Sequence, residues 1–412
     1  MVEKNLPFDK PQVENIINKF PTPFHLYDEA LIRNNARRLN RAFAWKKDFK
    51  NYFAIKATPN PSILKILKEE GMGMDCSSLP ELLLAKKIGI IGEEIMFSSN
   101  NTPTEEFILA KNLGAIINLD DFSHLDFLEK QTGLPELLCF RYNPGASRTG
   151  NSIIGKPEEA KYGLTKEQLF SAFIQAKNKG VKRFGIHTML ASNELNPEYF
   201  IKTAKMLFAL ALELHSRGII LEFVNLGGGI GIPYHLEQQE VDLERIGQEI
   251  EQAYQEMILQ KDLPPLKIFM ECARLITGPA GFLITKVRHI KNIYRNYIGV
   301  DASMADLMRP AIYGAYHHIT IFGKENQSET LVYDVTGSLC ENNDKFAIKR
   351  SLPKTEVGNI LIIHDTGAHG HAMGFNYNGK LRSAELLLKL DGFVEMIRRA
   401  ETVEDYFQTL NF

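Results

Sequence analysis

Asn51-Tyr52-Phe53-Ala54-Ile55-Lys56-Ala57-Thr58 is a run of aromatic and branched side chains with one lysine near its end, followed by Pro59-Asn60-Pro61. Aromatic and β-branched residues suit a buried, pleated backbone, so 52–55 reads as a strand. An ammonium at the end of an apolar strand loses hydration, and its neutral, nucleophilic form becomes easier to reach. Lys56 is therefore a candidate to form an imine with a carbonyl group. The plainer alternative is a lysine that reaches past the strand end into water. The strand alone does not separate the two.

Outward from this stretch the chain alternates. Strand-like runs follow at 73–76, 95–98, 115–118, 138–142, 184–189, 223–226 and 267–272. Amphipathic helical patterns lie between them, at 62–70, 79–88, 105–113, 166–179, 197–217 and 243–260, several ending at a glycine. Such alternation predicts parallel βαβ units, and eight of them over 30–280 predict an α/β fold, a closed (β/α)8 TIM-type barrel. A doubly wound open sheet is disfavoured, because no Gly-x-Gly-x-x-Gly follows the first strand. Past 280 the pattern changes to β-type runs at 282–289, 296–300, 318–322, 330–334 and 359–364, with helices expected at 382–388 and 392–401. Residues 281–412 thus predict a β-rich C-terminal domain, sandwich- or barrel-like. A short strand near 24–27 is expected to join it, making 1–29 part of that domain.

Composition excludes several classes. With 48 basic and 50 acidic residues the net charge is −2, so no global field favours nucleic acid. No apolar run is long enough for a membrane span, and Met1-Val2-Glu3-Lys4-Asn5 has no secretory core; a cytoplasmic protein is the expectation. The four cysteines, Cys76, Cys139, Cys272 and Cys340, show no CxxC spacing, so neither a metal site nor a disulfide framework is expected. Cys340 alone sits in a loop-like setting.

A barrel of this kind carries its chemistry where its strands end. Lys56, Asp75, Arg141, His187, Gly227-Gly228-Gly229, Glu271 and Arg274 all fall there. Glycines let backbone N–H groups surround an anion, so the loop after the seventh strand reads as a phosphate cradle, or else as a tight turn. Glu271 could hold a pyridine nitrogen protonated, or pair structurally with Arg274. His187 could stack on a flat ring, or be a satisfied core histidine. A lysine for an imine, glycines for a phosphate, a carboxylate for a ring nitrogen and a histidine for the ring face together describe pyridoxal 5′-phosphate (PLP).

The chain resembles the alanine-racemase-fold (fold-type III) PLP enzymes, and within them the diaminopimelate decarboxylases. The likeness runs along nearly the whole chain: Tyr52-Phe53-Ala54-Ile55-Lys56-Ala57, Gly73-Met74-Asp75-Cys76-Ser77-Ser78, Asn225-Leu226-Gly227-Gly228-Gly229, Asp306-Leu307-Met308-Arg309-Pro310-Ala311-Ile312-Tyr313, Cys340-Glu341 with Asp344, and Asn376-Tyr377-Asn378 with Ala384-Glu385. The resemblance implies that Lys56 carries PLP as an imine, and that Asp75, His187, Gly228, Gly229, Glu271, Arg274 and Tyr377 bind it. It implies that Arg274, Arg309, Tyr313, Glu341 and Tyr377 meet an amino-acid substrate. Cys340 would be a catalytic proton donor reaching a partner subunit's site, which makes a homodimer the expected state.

Three positions depart from the family pattern. His-x-Gly-Ser is here His187-Thr188-Met189-Leu190-Ala191-Ser192, leaving Ser192 as the candidate to complete the phosphate site. Glu-Pro-Gly-Arg is Glu271-Cys272-Ala273-Arg274, and the tyrosine expected after Gly367-Ala368 is His369. The implied reaction is decarboxylation of meso-2,6-diaminopimelate to L-lysine. Decarboxylases of the ornithine and carboxynorspermidine type share the fold but carry Cys-Asp where this chain has Cys340-Glu341. Racemases carry arginine where Glu271 stands. A non-catalytic PLP-binding homologue is disfavoured by the joint presence of Lys56, Glu271, Arg309 and Cys340.

Overall fold

The computed structural model describes residues 4–151 and 153–412; Met1-Val2-Glu3, part of the N-terminal stretch read above, lies outside them. The chain divides into two compact units. One comprises Asn34–Gly231 and Val241–Ala273; the other takes the residues up to Arg33, Ile232–Glu240 and Arg274–Phe412.

The first strand, β1 (Phe24–Asp28), belongs to the second unit. The first unit is built on β2 (Lys50–Ala54), β3 (Gly73–Cys76), β4 (Ile95–Ser98), β5 (Ile116–Leu119), β6 (Leu137–Arg141), β7 (Arg183–His187), β8 (Leu221–Asn225) and β9 (Lys267–Met270). These pair in parallel, in chain order, and close into a barrel. Closure is made by Lys50 opposite Phe269 and Asn51 opposite Met270. Buried Asn51 locks the seam from its side chain, accepting from the Cys272 N–H (2.8 Å) and donating to the Cys272 carbonyl (3.0 Å).

The barrel interior is filled by large side chains set against missing ones. Tyr52, Met96, Ile116, Leu137, Cys139, Phe223 and Phe269 form one buried cluster. A Cβ on Gly185 would lie 2.0 Å from the Phe223 ring, and one on Gly73 would lie 2.6 Å from Tyr52. The glycines are there because close-packed interiors leave no room for both partners to be large. Outside the barrel, helices are punctuated as the sequence reading expects: Asn60 caps Pro61–Glu69 by accepting from the Ser62 N–H, and Gly71 follows its end at φ +82°.

The second unit is a mixed sheet. Its strands are β10 (Gly281–Asn292), β11 (Asn296–Val300), β12 (Ile319–Ile321), β13 (Thr330–Thr336), β14 (Lys345–Pro353), β15 (Ile360–Ile363), β16 (Ala384–Leu388) and β17 (Val394–Arg398), together with β1. They run in the order β14-β13-β11-β10-β1-β16-β17, with β15 pairing both β10 and β12. β1 lies antiparallel to β10 and parallel to β16, which puts Phe24, Leu26, Phe282, Ile284 and Leu386 into one apolar cluster.

Two expectations fail here. The stretches 382–388 and 392–401, read as helices, form β16 and β17. Leucine-rich Ala384–Leu388 has helical propensity, but every residue of it is buried beside β1, and pairing overrides a weak local preference. β17 returns through a turn at Asp391-Gly392, with Lys389 donating to the Phe393 carbonyl. Among the described residues no helix is long and apolar enough to cross a membrane.

Beneath β16 lies a buried polar group. His25 Nε2 meets the Asp306 carbonyl (3.1 Å), His371 Nε2 meets the Ser383 carbonyl (2.9 Å), and the two rings make an edge contact at 5.5 Å. Burial, then the neighbouring His371, lowers His25 to about 3; burial lowers His371 to about 4, against the opposing charge of Glu385. Below the unfolded value of 6.5 the unfolded chain binds protons that these rings refuse, so stability falls as pH falls. Each ring contributes a slope of up to about 1.4 kcal/mol per pH unit. Urea midpoints are expected to drop between pH 7 and pH 5, and the drop should be shallower in His25→Asn/His371→Asn.

Candidate functional site

Strand ends of the barrel place the sequence-selected residues as follows. β2 stops at Ala54, and Ile55–Ala57 turns as one 3-10 turn that lifts Lys56 from the rim. Lys56 is exposed, so the desolvation expected from its sequence context is absent. The turn, not burial, distinguishes it.

Glu271 follows β9 and is 8% exposed. Its Oε2 lies 3.1 Å from His187 Nε2, and its Oε1 accepts from Asn225 Nδ2 at 2.8 Å. Asn225 ends β8, and its own Oδ1 accepts the Gly227 N–H (2.9 Å), so one buried side chain fixes both the carboxylate and the start of the glycine loop. Burial by itself would raise Glu271. The charge and hydrogen bond of His187, then Lys56 and Arg141, outweigh it and hold the carboxyl below its ordinary value. Asp75 goes the other way: burial, then the charge of Glu271, pushes it well above the ordinary range, with Lys56 opposing. Two carboxyls in one electrostatic field are thus split, Glu271 ionised and Asp75 favouring its proton.

The glycine loop is shaped by contacts that forbid side chains. A Cβ on Gly228 would lie 2.5 Å from the Glu271 carbonyl oxygen; Gly229, at φ +97°, would put one 2.3 Å from the Ala191 carbonyl. The Gly228 N–H points at Met189 Sδ, 3.2 Å away. Met189 stands where the family pattern has glycine, so the departure after the sixth strand lies directly on this loop. Ser192 donates its N–H to Asn151 Oδ1 (3.2 Å).

The second unit gathers a different group. Buried Arg274 donates to the Tyr234 hydroxyl (2.7 Å), and the Arg309 guanidinium lies over the same ring at 4.5 Å. Arg309 Nη1 donates to His317 Nε2 (2.7 Å), whose Nδ1–H is committed to the His364 carbonyl (2.8 Å). That bond sets the tautomer: burial, then Arg309, holds His317 well below its ordinary value, leaving Nε2 as an acceptor. Cys340 is exposed, and its N–H donates to Asn378 Oδ1 (2.7 Å). Its loop is pinned by buried Asp344, which accepts from the Met304 and Leu339 N–H groups (2.6 and 2.8 Å). Glu341 Oε1 accepts from the Asn343 N–H (3.0 Å). Tyr313 and Tyr377 are both more than half exposed.

Sequence reading passed over Asn225, Tyr234 and His317. Asn225 was legible as a polar residue closing an apolar strand before Gly-Gly-Gly. Tyr234 had no such signal, because Arg274 lies 40 residues away, and His317 had none because no periodic pattern links it to Arg309, eight residues before it.

The geometry fits PLP. Asp75 Oδ1 and His187 Nδ1 are buried and have no hydrogen-bond partner among the described residues, so polar atoms remain for a flat, polar ring. In the glycine loop the Gly228 N–H meets only the thioether sulfur of Met189, a weak acceptor that an anion could replace. Comparison with known proteins decides the family: residues 29–278 match the pyridoxal-dependent decarboxylase, pyridoxal binding domain. The chain belongs to the pyridoxal-dependent decarboxylases. It is thus a PLP-dependent carboxy-lyase of fold type III.

Its relatives in this family include Protein TabA of Pseudomonas amygdali pv. tabaci, 43% identical over 96% of this chain and 93% of that one. The diaminopimelate decarboxylase of Methanothermobacter thermautotrophicus is 34% identical, with 96% and 93% covered. The diaminopimelate decarboxylase of M. jannaschii, solved in co-complex with L-lysine, superposes with a TM-score of 0.90 at 31% identity, covering 97% of this chain and 94% of that one.

Asn225→Ala leaves a buried carboxylate short of one hydrogen bond, a cost of about 2 kcal/mol. The decarboxylase should then retain PLP at least several-fold less well, read as cofactor absorbance after gel filtration. Asn225→Asp should be worse, because it sets a second negative charge beside Glu271.

Proposed function

We propose that this enzyme decarboxylates meso-2,6-diaminopimelate to L-lysine and CO2. The observation that carries the reading is Glu271, kept ionised between His187 and Asn225 within the field of Lys56. When bound, PLP supplies a sink for the electron pair left on Cα as CO2 departs. An ionised carboxylate favours a protonated ring nitrogen, which makes that sink deeper. Lys56 would hold the cofactor's aldehyde, Gly228 and Gly229 its phosphate through backbone N–H groups, and His187 its ring face. Asp75 would stay protonated near the ring, with Arg274, Ser192 and Tyr377 completing the cofactor contacts.

For the substrate, Arg309 is the carboxylate receptor. Its guanidinium is held by His317 and the Tyr234 ring, so it meets an anion without first ordering itself. Arg274, on the same tyrosine, and Tyr313 stand with it. Glu341 would bind the distal ammonium, and Cys340 Sγ would return the proton to Cα. The diaminopimelate decarboxylase names of relatives at 34% identity and the L-lysine complex of the M. jannaschii protein support this choice. A shifted substrate is the second reading, favoured by the 43% identity to TabA together with the altered residues Met189, Cys272, Ala273 and His369.

Purified protein supplied with PLP and meso-diaminopimelate should release CO2 and form L-lysine. Intact bound PLP with no lysine would sink the substrate assignment and favour the second reading.

The exposed Cys340 loop fits a homodimer in which each chain completes its partner's site. Cys340→Ala should lower kcat by about 10²–10³-fold, the range for losing a general acid. Mixing inactive Lys56→Ala with Cys340→Ala should then restore activity as hybrids form. Two variants that remain inactive after verified subunit exchange would rule the shared site out.

A further inference from the structure

The second unit holds a cavity of about 710 Å³ that contains none of the residues assigned above to cofactor or substrate. Phe8, Phe322 and Leu352 supply apolar wall, and Tyr316, His318 and Arg350 supply polar wall. Arg350 is the unusual member. It is half-buried, its guanidinium lies flat on Tyr316 at 4.0 Å, and one N–H donates to the His317 carbonyl (3.0 Å). Among the described residues no carboxylate pairs with it, although a cation taken partly out of water ordinarily finds one.

The other cations at the cavity are already answered. Lys4 is bound to Asp365 (2.7 Å) and Lys10 is exposed beside Glu14, whereas Glu325, exposed on the same lining, accepts the Gly323 N–H (2.8 Å) and keeps its negative charge in water. His318 Nδ1 is a buried atom with no partner among the described residues. Its imidazole is neutral at physiological pH, because burial, then Arg350 and Lys4, lowers it to about 4. Among the described residues the cavity therefore combines apolar walls with one guanidinium that no carboxylate pairs with, and exposed Glu325 also stands on its lining.

We propose that this cavity binds a small organic carboxylate with a single negative charge and an aromatic or branched body, anchored on Arg350. One guanidinium matches one carboxylate in charge and in its paired donors. A phosphate dianion would need a second free base that the cavity does not present. The site also touches the substrate apparatus through one residue: Arg350 holds the carbonyl of His317, whose ring holds Arg309. An acid that draws Arg350 into the cavity loosens that support, so its binding opposes substrate binding at Arg309. This coupling rests on the role proposed for Arg309; the binding does not.

Calorimetric titration of the PLP-loaded enzyme with benzoate tests the site, with benzyl alcohol and phenyl phosphate as comparisons. Benzoate should bind saturably and the alcohol should not. Arg350→Gln should weaken benzoate at least tenfold, Leu6→Trp should block it by filling the cavity, and Arg309→Gln should leave it within twofold, each variant being folded at the titration temperature as judged by a cooperative melt. Absence of saturable benzoate binding overturns the proposal. So does preference for phenyl phosphate, or loss of benzoate in Arg309→Gln but not in Arg350→Gln. In steady-state assays benzoate should raise KM severalfold in the parent enzyme and not in Arg350→Gln; benzoate bound with KM unmoved overturns the coupling to Arg309.

Discussion

A charged carboxylate buried at the mouth of the barrel is the constraint on which the rest of the site depends. Glu271 remains ionised there because His187, Lys56 and Arg141 outweigh its burial, while His187 and Asn225 each meet one of its oxygens. Glu271 and these two hydrogen-bond partners stand at the ends of three neighbouring strands, β9, β7 and β8. The register of the barrel therefore sets the charge state of the site. A slip of one residue in β8 would turn Asn225 away and leave one buried carboxylate oxygen without its hydrogen bond, which is costlier than a lost surface contact.

The same carboxylate organises its surroundings at longer range. Its charge pushes Asp75 toward protonation while Lys56 pulls both groups the other way. The glycine loop is tied in through the Gly227 N–H on Asn225 and through the close approach of Gly228 to the Glu271 backbone. The buried carboxylate and the glycine loop are thus parts of one hydrogen-bonded assembly. The arginine pair of the second unit follows a different principle. There Tyr234 and His317, both neutral, orient two guanidiniums without cancelling their charge, which suits a receptor for an external anion.

Particular residues show why some of this was legible in advance. Strand–helix alternation has a strong period, and glycine punctuation marks its ends, so the barrel and the location of Lys56, His187, Gly228 and Glu271 at strand ends followed from pattern. The helices expected at 382–388 and 392–401 failed because a leucine-rich run has no period that separates buried strand from buried helix. Lys56 was singled out for a desolvation that the fold does not supply: its side chain is exposed, and a short turn rather than an apolar wall sets it apart.

The sequence by itself determined the architecture class, the order of the barrel strands and the chemical types available at their ends, because those depend on periodicity and on residues near one another along the chain. Only the tertiary structure decided which oxygen of Glu271 meets which partner, that Asp75 and Glu271 titrate in opposite directions, that Met189 faces the Gly228 N–H, and that His317 accepts from Arg309. All but the last join groups far apart in sequence, where electrostatics and burial act and local patterning carries no information; Arg309 and His317 are eight residues apart but follow no helix or strand period. The pair Arg350–His317, 33 residues apart, is of that kind: its meaning lies in the absence, among the described residues, of a carboxylate paired with Arg350, and only a folded chain can show what a side chain fails to meet.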